Sequence, residues 1–342
     1  MTDRGGQAES TAAKQTDGNS SRRLRLVLMG TGPFAVPSFE ALVGAGHEIP
    51  LVVTRPAREV KSRKGPPPSP VREFAAKYSF ELFDPQSMNA EDAIAKVAAA
   101  KPDLLVVCDF GQILSSDALA VAPLGGINLH GSLLPAYRGA APVQWALLSG
   151  DVVTGVSVIH MTPRLDGGPI LAKAETAIRD DETSGDLEHR LSLLGVEPTL
   201  VSVAMLARWD GQAKIGELQD TGRVSRAPRL DKASGKIDWS RSVRMIDCHV
   251  RGMQPWPGAY TDLAIAGSDK PPLRIAIRSV SPVGGDGRSN AAPGTLVSDK
   301  ELLVACADGL IRIDRLQAAG RSEVSAEEFL RGHRLPSGTV LR

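Results

Sequence analysis

Two polar residues, Asn128 and His130, close the apolar run Gly126–His130. On a strand, residues i and i+2 project from one face, here roughly 6.5–7 Å apart. That spacing leaves room for a reacting carbonyl between them. One side chain donates to an oxygen that gains charge while the other handles a proton. Further along, Asp166 lies in Arg164-Leu-Asp166-Gly167-Gly168, where glycines let the backbone approach a neighbouring site closely. A carboxylate beside His130 would favour the imidazolium and complete a proton-handling pair that needs no protein nucleophile. Each residue also has a plainer reading. Lone histidines on strands commonly sit packed in cores or on surfaces. An Asp before Gly-Gly commonly makes a turn, and Ser132 reads equally as the cap of a turn before Pro135. It is the clustering of the three that points to a site.

A second pattern competes. Gly30-Thr-Gly32-Pro-Phe-Ala35 matches G-x-G-x-x-G/A, and Arg55 stands where an arginine would meet a 2′-phosphate, so an NADP-dependent oxidoreductase has to be weighed. Pro33 removes a backbone N–H where a pyrophosphate needs donors. The glycines read more simply as a tight strand-to-helix turn. Cys108, Cys248 and Cys306 form no C-x-x-C pair, so neither a zinc knuckle nor a disulfide framework is expected, and no metal-ligand spacing is present.

The elements that must position these residues follow from apolar patterning. Leu24–Gly30, Ile49–Thr54, Leu104–Asp109 and Gly155–Met161 are short continuous apolar runs, the pattern of strands buried on both faces. Helical segments alternate with them at Pro37–Ala45, Pro70–Tyr78, Ala90–Ala100, Ser115–Val121 and Ala141–Ser149. The alternation predicts an α/β, doubly wound parallel sheet, with Asn128 and His130 at a strand's carboxyl end, where open α/β folds bind ligands. Thr183-Ser-Gly-Asp186 predicts a capping box opening one long helix to about Trp209. Beyond residue 210 the composition turns to Gly, Lys and Arg. From 260 onward, short β runs between Gly, Pro, Ser and Asp predict a small all-β barrel or sandwich. We therefore expect a tail over 1–22, one domain over 23–209, a linker over 210–228 and a second domain over 229–342.

The chain has 342 residues with 40 basic and 39 acidic side chains, a net charge of +1 that excludes a uniformly basic nucleic-acid coat but leaves room for a local patch. No apolar run approaches the roughly 18 residues of a membrane-spanning helix. Residues 1–22 lack the apolar stretch of a signal peptide, so a disordered tail and a cytoplasmic protein are expected.

Asn128-x-His130-x-Ser132-Leu-Leu-Pro135-x-x-Arg138-Gly139-x-x-Pro142, followed by Asp166-x-Gly168-x-Ile170-Leu171, resembles the signature of the 10-formyltetrahydrofolate-dependent formyltransferases. The opening MGTGPFAVPSFEAL, Pro68-Ser-Pro70, Ile237-Asp-Trp239 and Pro255-Trp256-Pro257 are similar to the branch of that family acting on methionyl-tRNA. The likeness runs from about residue 24 to the C-terminus. It implies a Rossmann-like catalytic domain and an OB-like C-terminal barrel. It also implies 10-formyltetrahydrofolate as co-substrate without a metal, and initiator Met-tRNA as partner. By residue matching, Asn128 and His130 would donate to the oxyanion, and Asp166 would hold and charge His130. Ser132, Leu133, Leu134 and Pro135 would contact the folate.

Arg58, Lys61, Arg63 and Lys64 belong to a proline-stiffened basic segment over 55–72 that would grip acceptor-stem phosphates. The family's usual wording departs here at Glu59, Val60 and Ser62. Basic residues also outnumber acids between 213 and 251. Aromatics are scarce at 4%, so phosphate contact is expected rather than base stacking. Within the family, the alternatives are a formyltransferase for a small amine or a formyl-folate hydrolase, for which a second domain with a basic linker is superfluous. A non-enzymatic RNA-binding module would leave Asn128, His130 and Asp166 without a purpose. A monomer is expected, since one catalytic and one tRNA-binding domain suffice.

Overall fold

A computed structural model of the chain describes residues 22–57, 69–263, 272–283, 289–333 and 335–342. The expected tail, save Arg22, lies outside the described residues, as do Arg58, Lys61, Arg63 and Lys64.

The N-terminal part is built on a sheet of seven strands. These are β1 (Arg25–Gly30), β2 (Glu48–Val53), β3 (Leu82–Phe83), β4 (Leu104–Cys108), β5 (Gly126–His130), β7 (Val153–His160) and β8 (Ile170–Ala177), in the order β3-β2-β1-β4-β5-β7-β8. A short strand β6 (Arg138–Gly139) lies off it. The continuous apolar runs are explained by burial on both faces. Leu26 and Leu28 of β1 join one core with Phe39, Leu42 and Phe74, while Val27 and Met29 join another with Leu51, Val97 and Leu105. Helices α1 (Val36–Gly44), α2 (Pro70–Lys77) and α5 (Pro142–Leu148) contribute to the first core, and α3 (Glu91–Ala99) and α4 (Ser116–Leu119) to the second.

Two expectations need correction. The sheet is parallel only from β3 to β5; β7 pairs antiparallel with both β5 and β8. The loop 161–169 between β7 and β8 is too short for the crossover of a dozen or more residues that a parallel pair requires, so the pair closes as a hairpin. The single long helix is two, α6 (Ser184–Leu194) and α7 (Val196–Leu206). The Thr183/Asp186 capping box forms as expected. The break falls at Gly195, where a Cβ would stand 2.7 Å from the Leu129 side chain, and Pro198 then supplies no N–H to continue the ladder.

Beyond residue 209 the chain does not hang free. Glu217 exchanges backbone hydrogen bonds of 2.8 Å with Ile170. The strand β9 (Arg226–Ala227) pairs in parallel with β6. Arg138 N donates to Ser225 O at 2.9 Å, and Ala140 N donates to Ala227 O at 2.8 Å. The expected linker is thus laid along the N-terminal module as an extra edge.

The C-terminal part holds α8 (Val243–Gly252), β10 (Tyr260–Leu263), β11 (Leu273–Pro282), β12 (Leu303–Ala305), β13 (Leu310–Ala318), β14 (Glu323–Ser325) and α9 (Ala326–Gly332). Its antiparallel order is β10-β11-β13-β12, with β14 also on β13. Bridges Leu296–Val304, Thr295–Val340 and Leu263–Leu341 carry the pairing from β12 back to β10, so the strands close into a ring. Leu263, Ile275, Ile277, Ile313, Leu316 and Leu341 are buried in its core. Ala141 and Leu148, beside and within α5, belong to that same core. Arg244 Nη2 donates to Gly150 O at 2.7 Å across the junction.

Gly139 is the pivot of the β6–β9 pair. Its φ is +131°, and a Cβ there would run into the carbonyl oxygen of Ala227. Gly139→Ala should therefore release β9, lowering Tm and speeding tryptic cleavage within 210–228, at Lys214, Arg223 or Arg226. Cleavage at the wild-type rate would contradict this placement.

Candidate active site

The carboxyl end of β5 opens into a cleft of about 610 Å³ bounded by the β1–α1 turn, the segment after β4 and the β7–β8 hairpin. Asn128, His130 and Asp166 all line it. Period-two geometry brings the first two to one face of β5. The hairpin brings the third opposite them.

Asp166 is the residue on which the cluster turns. It sits in the left-handed region at φ +47°, unusual for a residue with a side chain. Its Oδ2 accepts from Gly139 N at 2.9 Å, and its Oδ1 accepts a long bond of 3.5 Å from Asn128 Nδ2. His130 Nδ1 lies 3.8 Å from Asp166 Oδ1, beyond hydrogen-bond reach. The imidazole is oriented by something the sequence did not signal: Nε2 stands 2.9 Å from the carbonyl oxygen of Tyr137. A carbonyl only accepts, so Nε2 carries the proton, and Nδ1 is the nitrogen left to act towards Asp166 and the cleft. The imidazole is thus held by the Tyr137 carbonyl rather than by Asp166. His130 is 6% exposed, which excludes bulk water from competing for these bonds.

The segment Ser132–Pro135 is not brought to the cleft. Ser132 is fully buried, and its hydroxyl donates to Ala136 O at 2.6 Å. Ser157 Oγ donates to Ser132 O at 2.8 Å and accepts from Leu134 N at 3.0 Å, while Leu134 packs with Ile159 and Ile170. Leu133 lies against Gly155. This segment braces β7 and β8, and its polar groups have partners inside the protein. The apolar wall of the cleft comes instead from Phe110, Ile113, Leu114, Met161 and Leu165. Ile113 and Leu165 are more than half exposed at its rim. The signal was present in the sequence as apolar residues in the segments just after β4 and β7, at the ends of strands where such folds bind ligands.

The glycine pattern near residue 30 has a structural purpose. Gly32 packs against Asp109 so closely that any Cβ would collide with its carboxylate, and the Gly32 N–H donates to that carboxylate. The donor that a pyrophosphate would use is taken by the protein's own anion. Asp109 and Glu188 form an acidic floor to the cleft. Asp109 is open to the cleft yet surrounded by protein. This poor solvation lifts its carboxyl to about 6, opposed by the Gly32 N–H and the Arg55 charge. Burial and the nearby Asp109 lift Glu188 to about 7. Arg55, Arg164 and Arg229 ring the same cleft and give it a cationic border. Among the described residues no group of three or more His, Cys, Asp or Glu is placed to hold a metal ion, and no helix is long and apolar enough to cross a membrane.

Raised carboxyl values make the folded state bind protons more readily than the unfolded one. This stability is fully present below the unfolded values of 3.8 and 4.5, and is lost as pH rises through about 6 for Asp109 and about 7 for Glu188. Glu188→Gln, which stays neutral, should raise Tm over the wild type at about pH 8, with the gain shrinking towards about pH 5. An equal Tm difference at both pH values would contradict the buried-acid account.

Comparison with known proteins extends over both modules. The family model described as "Formyl transferase" matches residues 23–203, and "Formyl transferase, C-terminal domain" matches 229–334. The chain is 56% identical to the methionyl-tRNA formyltransferase of Rhodopirellula baltica, covering 93% of this chain and 96% of that one. It is 38% identical to that of Parvibaculum lavamentivorans, covering 92% and 99%. Among solved structures, WlaRD, a sugar 3N-formyl transferase crystallised with dTDP and 5-N-formyl-THF, superposes with a TM-score of 0.61 at 15% identity, covering 88% of this chain and all of that one. HypX from Aquifex aeolicus, in complex with tetrahydrofolic acid, does so with a TM-score of 0.59 at 15% identity, covering 90% of this chain and 47% of that one. These two likenesses carry the fold. With both of its modules matched in order and relatives aligned over nearly their whole length, the chain belongs to the formyl transferase family.

Proposed function

We propose that this chain transfers the formyl group of 10-formyltetrahydrofolate to the α-amino group of methionine on initiator tRNA, giving N-formylmethionyl-tRNA. The observation that carries the reading is full-length similarity to methionyl-tRNA formyltransferases, in a chain whose Asn128, His130 and Asp166 converge on one cleft. A folate fits the residues present: an apolar wall of Phe110, Ile113, Leu114, Met161 and Leu165 for a flat ring, and a cationic rim for carboxylates. When bound, it supplies a formyl group on N10 that an amine can attack.

The chain's own residues then do the following. Asn128 Nδ2 and His130, once protonated at Nδ1, donate to the formyl oxygen as it gains charge. Asp166 stabilises the imidazolium. As the new C–N bond forms and the bond to N10 breaks, the amine loses a proton and N10 gains one. His130 and Asp166 are the groups positioned to relay it.

The second module, with the basic residues of 213–251, is read as the tRNA-holding part, assisted by Arg58, Lys61, Arg63 and Lys64. Residues 23–209 and 229–342 are the two working domains. The segment 210–228 is a docked connection between them. We read the protein as a monomer, since one catalytic and one tRNA-holding module suffice. A cytoplasmic location in a bacterial-type translation system is part of this reading.

The direct test offers the protein 10-formyltetrahydrofolate with Met-charged initiator tRNA, a small amine such as glycinamide ribonucleotide, or buffer. Mass spectrometry should find formyl on the tRNA-bound methionine. Formate or a formylated small amine without the tRNA product would overturn the reading. Asn128→Ala and His130→Ala should each lower kcat by about 10²–10³; near-wild-type turnover would remove that residue from the mechanism. Affinity for Met-tRNA should fall steeply with added salt, as phosphate contacts require, and a flat response would contradict phosphate-based binding.

A further inference from the structure

The exposed run 216–223 contains one residue that is turned inward: Gln219 is half-buried, and its neighbours Leu218 and Asp220 are exposed. Its side-chain amide is fully engaged. Nε2 donates to the backbone oxygens of Asp166 at 2.8 Å and Gly168 at 2.7 Å. Oε1 accepts from Arg138 Nε at 3.1 Å and Nη2 at 2.6 Å. The orientation of this amide is forced, because carbonyl oxygens only accept and a guanidinium only donates. All four hydrogen-bonding positions of one glutamine are therefore used between an arginine of β6 and the turn that carries Asp166.

We infer that Gln219 is a positioning residue: it pins the Asp166 backbone in its left-handed turn and so sets where the Asp166 carboxylate stands relative to Asn128 and His130. A non-glycine residue at φ +47° persists only where its surroundings over-determine it. Here the surroundings are named. The Gly139 N–H holds the Asp166 carboxylate, Gln219 holds its main chain, and Arg138, 8% exposed, holds Gln219. Arg138 and Gly139 are also the two residues of β6 that pair with β9. The catalytic hairpin and the connection to the second module thus share one set of bonds. Gln219 is not among the residues that line the cleft, so its effect passes through Asp166. The inference rests on the assignment of Asp166 to the proton-handling pair.

The test is a double-mutant cycle read by single-turnover formyl transfer with enzyme in excess. Gln219→Ala should lower the transfer rate about 10–100-fold, the range found when outer partners that orient a working group are removed. KM for folate and for tRNA should change little. Gln219→Glu keeps the acceptor for Arg138 but sets an oxygen against two carbonyl oxygens, and should be at least as impaired. In an Asp166→Asn background, Gln219→Ala should add almost nothing, since the group it positions is already disabled. If Gln219→Ala folds poorly, as its Tm would reveal, Gln219→Asn keeps the amide but is one methylene too short to span the bonds, and should give the same pattern. An equal fold-loss in both backgrounds, or no loss at all, would overturn the inference. An unimpaired Asp166→Asn enzyme would remove Asp166 itself from the chemistry and the clamp with it. That outcome is distinguishable by the rate of the Asp166→Asn single mutant, which stays impaired if only the clamp fails.

Discussion

The hydrogen bond from Gly139 N–H to the Asp166 carboxylate joins the two halves of the candidate active site. One partner follows β5, which carries Asn128 and His130; the other lies on the β7–β8 hairpin. For that bond to form, β7 must return antiparallel beside β5, the hairpin must turn through a left-handed residue, and β6 must be held in place. Gly168 meets the second condition as well. It packs on the carbonyl of His160 at a distance that admits no Cβ, drawing the hairpin tight. His130 is buried 3.8 Å from the Asp166 carboxylate.

The same constraint ties the modules together. Residues 217–228 border the β7–β8 hairpin on one side and lead into the barrel module on the other. Trp145 of α5 donates its indole N–H to Pro228 O at 2.9 Å, and Arg251 of α8 reaches Glu182 O at 3.2 Å. A partner bound across both modules would meet a surface whose geometry is continuous with the site that holds Asp166.

Much of this was legible in the sequence, and the failures have physical causes. The continuous runs at 24–30 and 104–109 identified strands of a two-sided sheet because both faces are covered by helices, which makes all but the end positions Arg25 and Asp109 apolar. Asn128, His130 and Asp166 were legible because polar residues at strand ends have few other reasons to cluster. The antiparallel return of β7 was not, since its apolar run looks the same in either direction. The edge strand β8 alternates Lys and Glu outward, and it escaped notice for that reason. The helix break at Gly195 depends on contact with Leu129, 66 positions earlier in the chain, and no local pattern carries such a contact. Ser132–Pro135 was read as lining the pocket, but these residues do not line the cleft, because their polar groups are taken up by Ala136, Ser157 and the backbone. Tyr137 and Gln219 were invisible for different reasons: the first acts through a backbone carbonyl, the second through a contact 53 residues distant.

The central claim is that Asn128 and His130 flank one point where a formyl oxygen gains charge, with Asp166 behind them. A crystal structure with a non-reactive 10-formyl folate analogue tests this most directly. The account predicts the formyl oxygen within about 2.7–3.1 Å of Asn128 Nδ2 and of the His130 ring nitrogen facing the cleft, with the folate ring against Phe110, Ile113 and Leu165. A formyl group lying away from both side chains, or a folate seated on Ser132–Pro135, would contradict it.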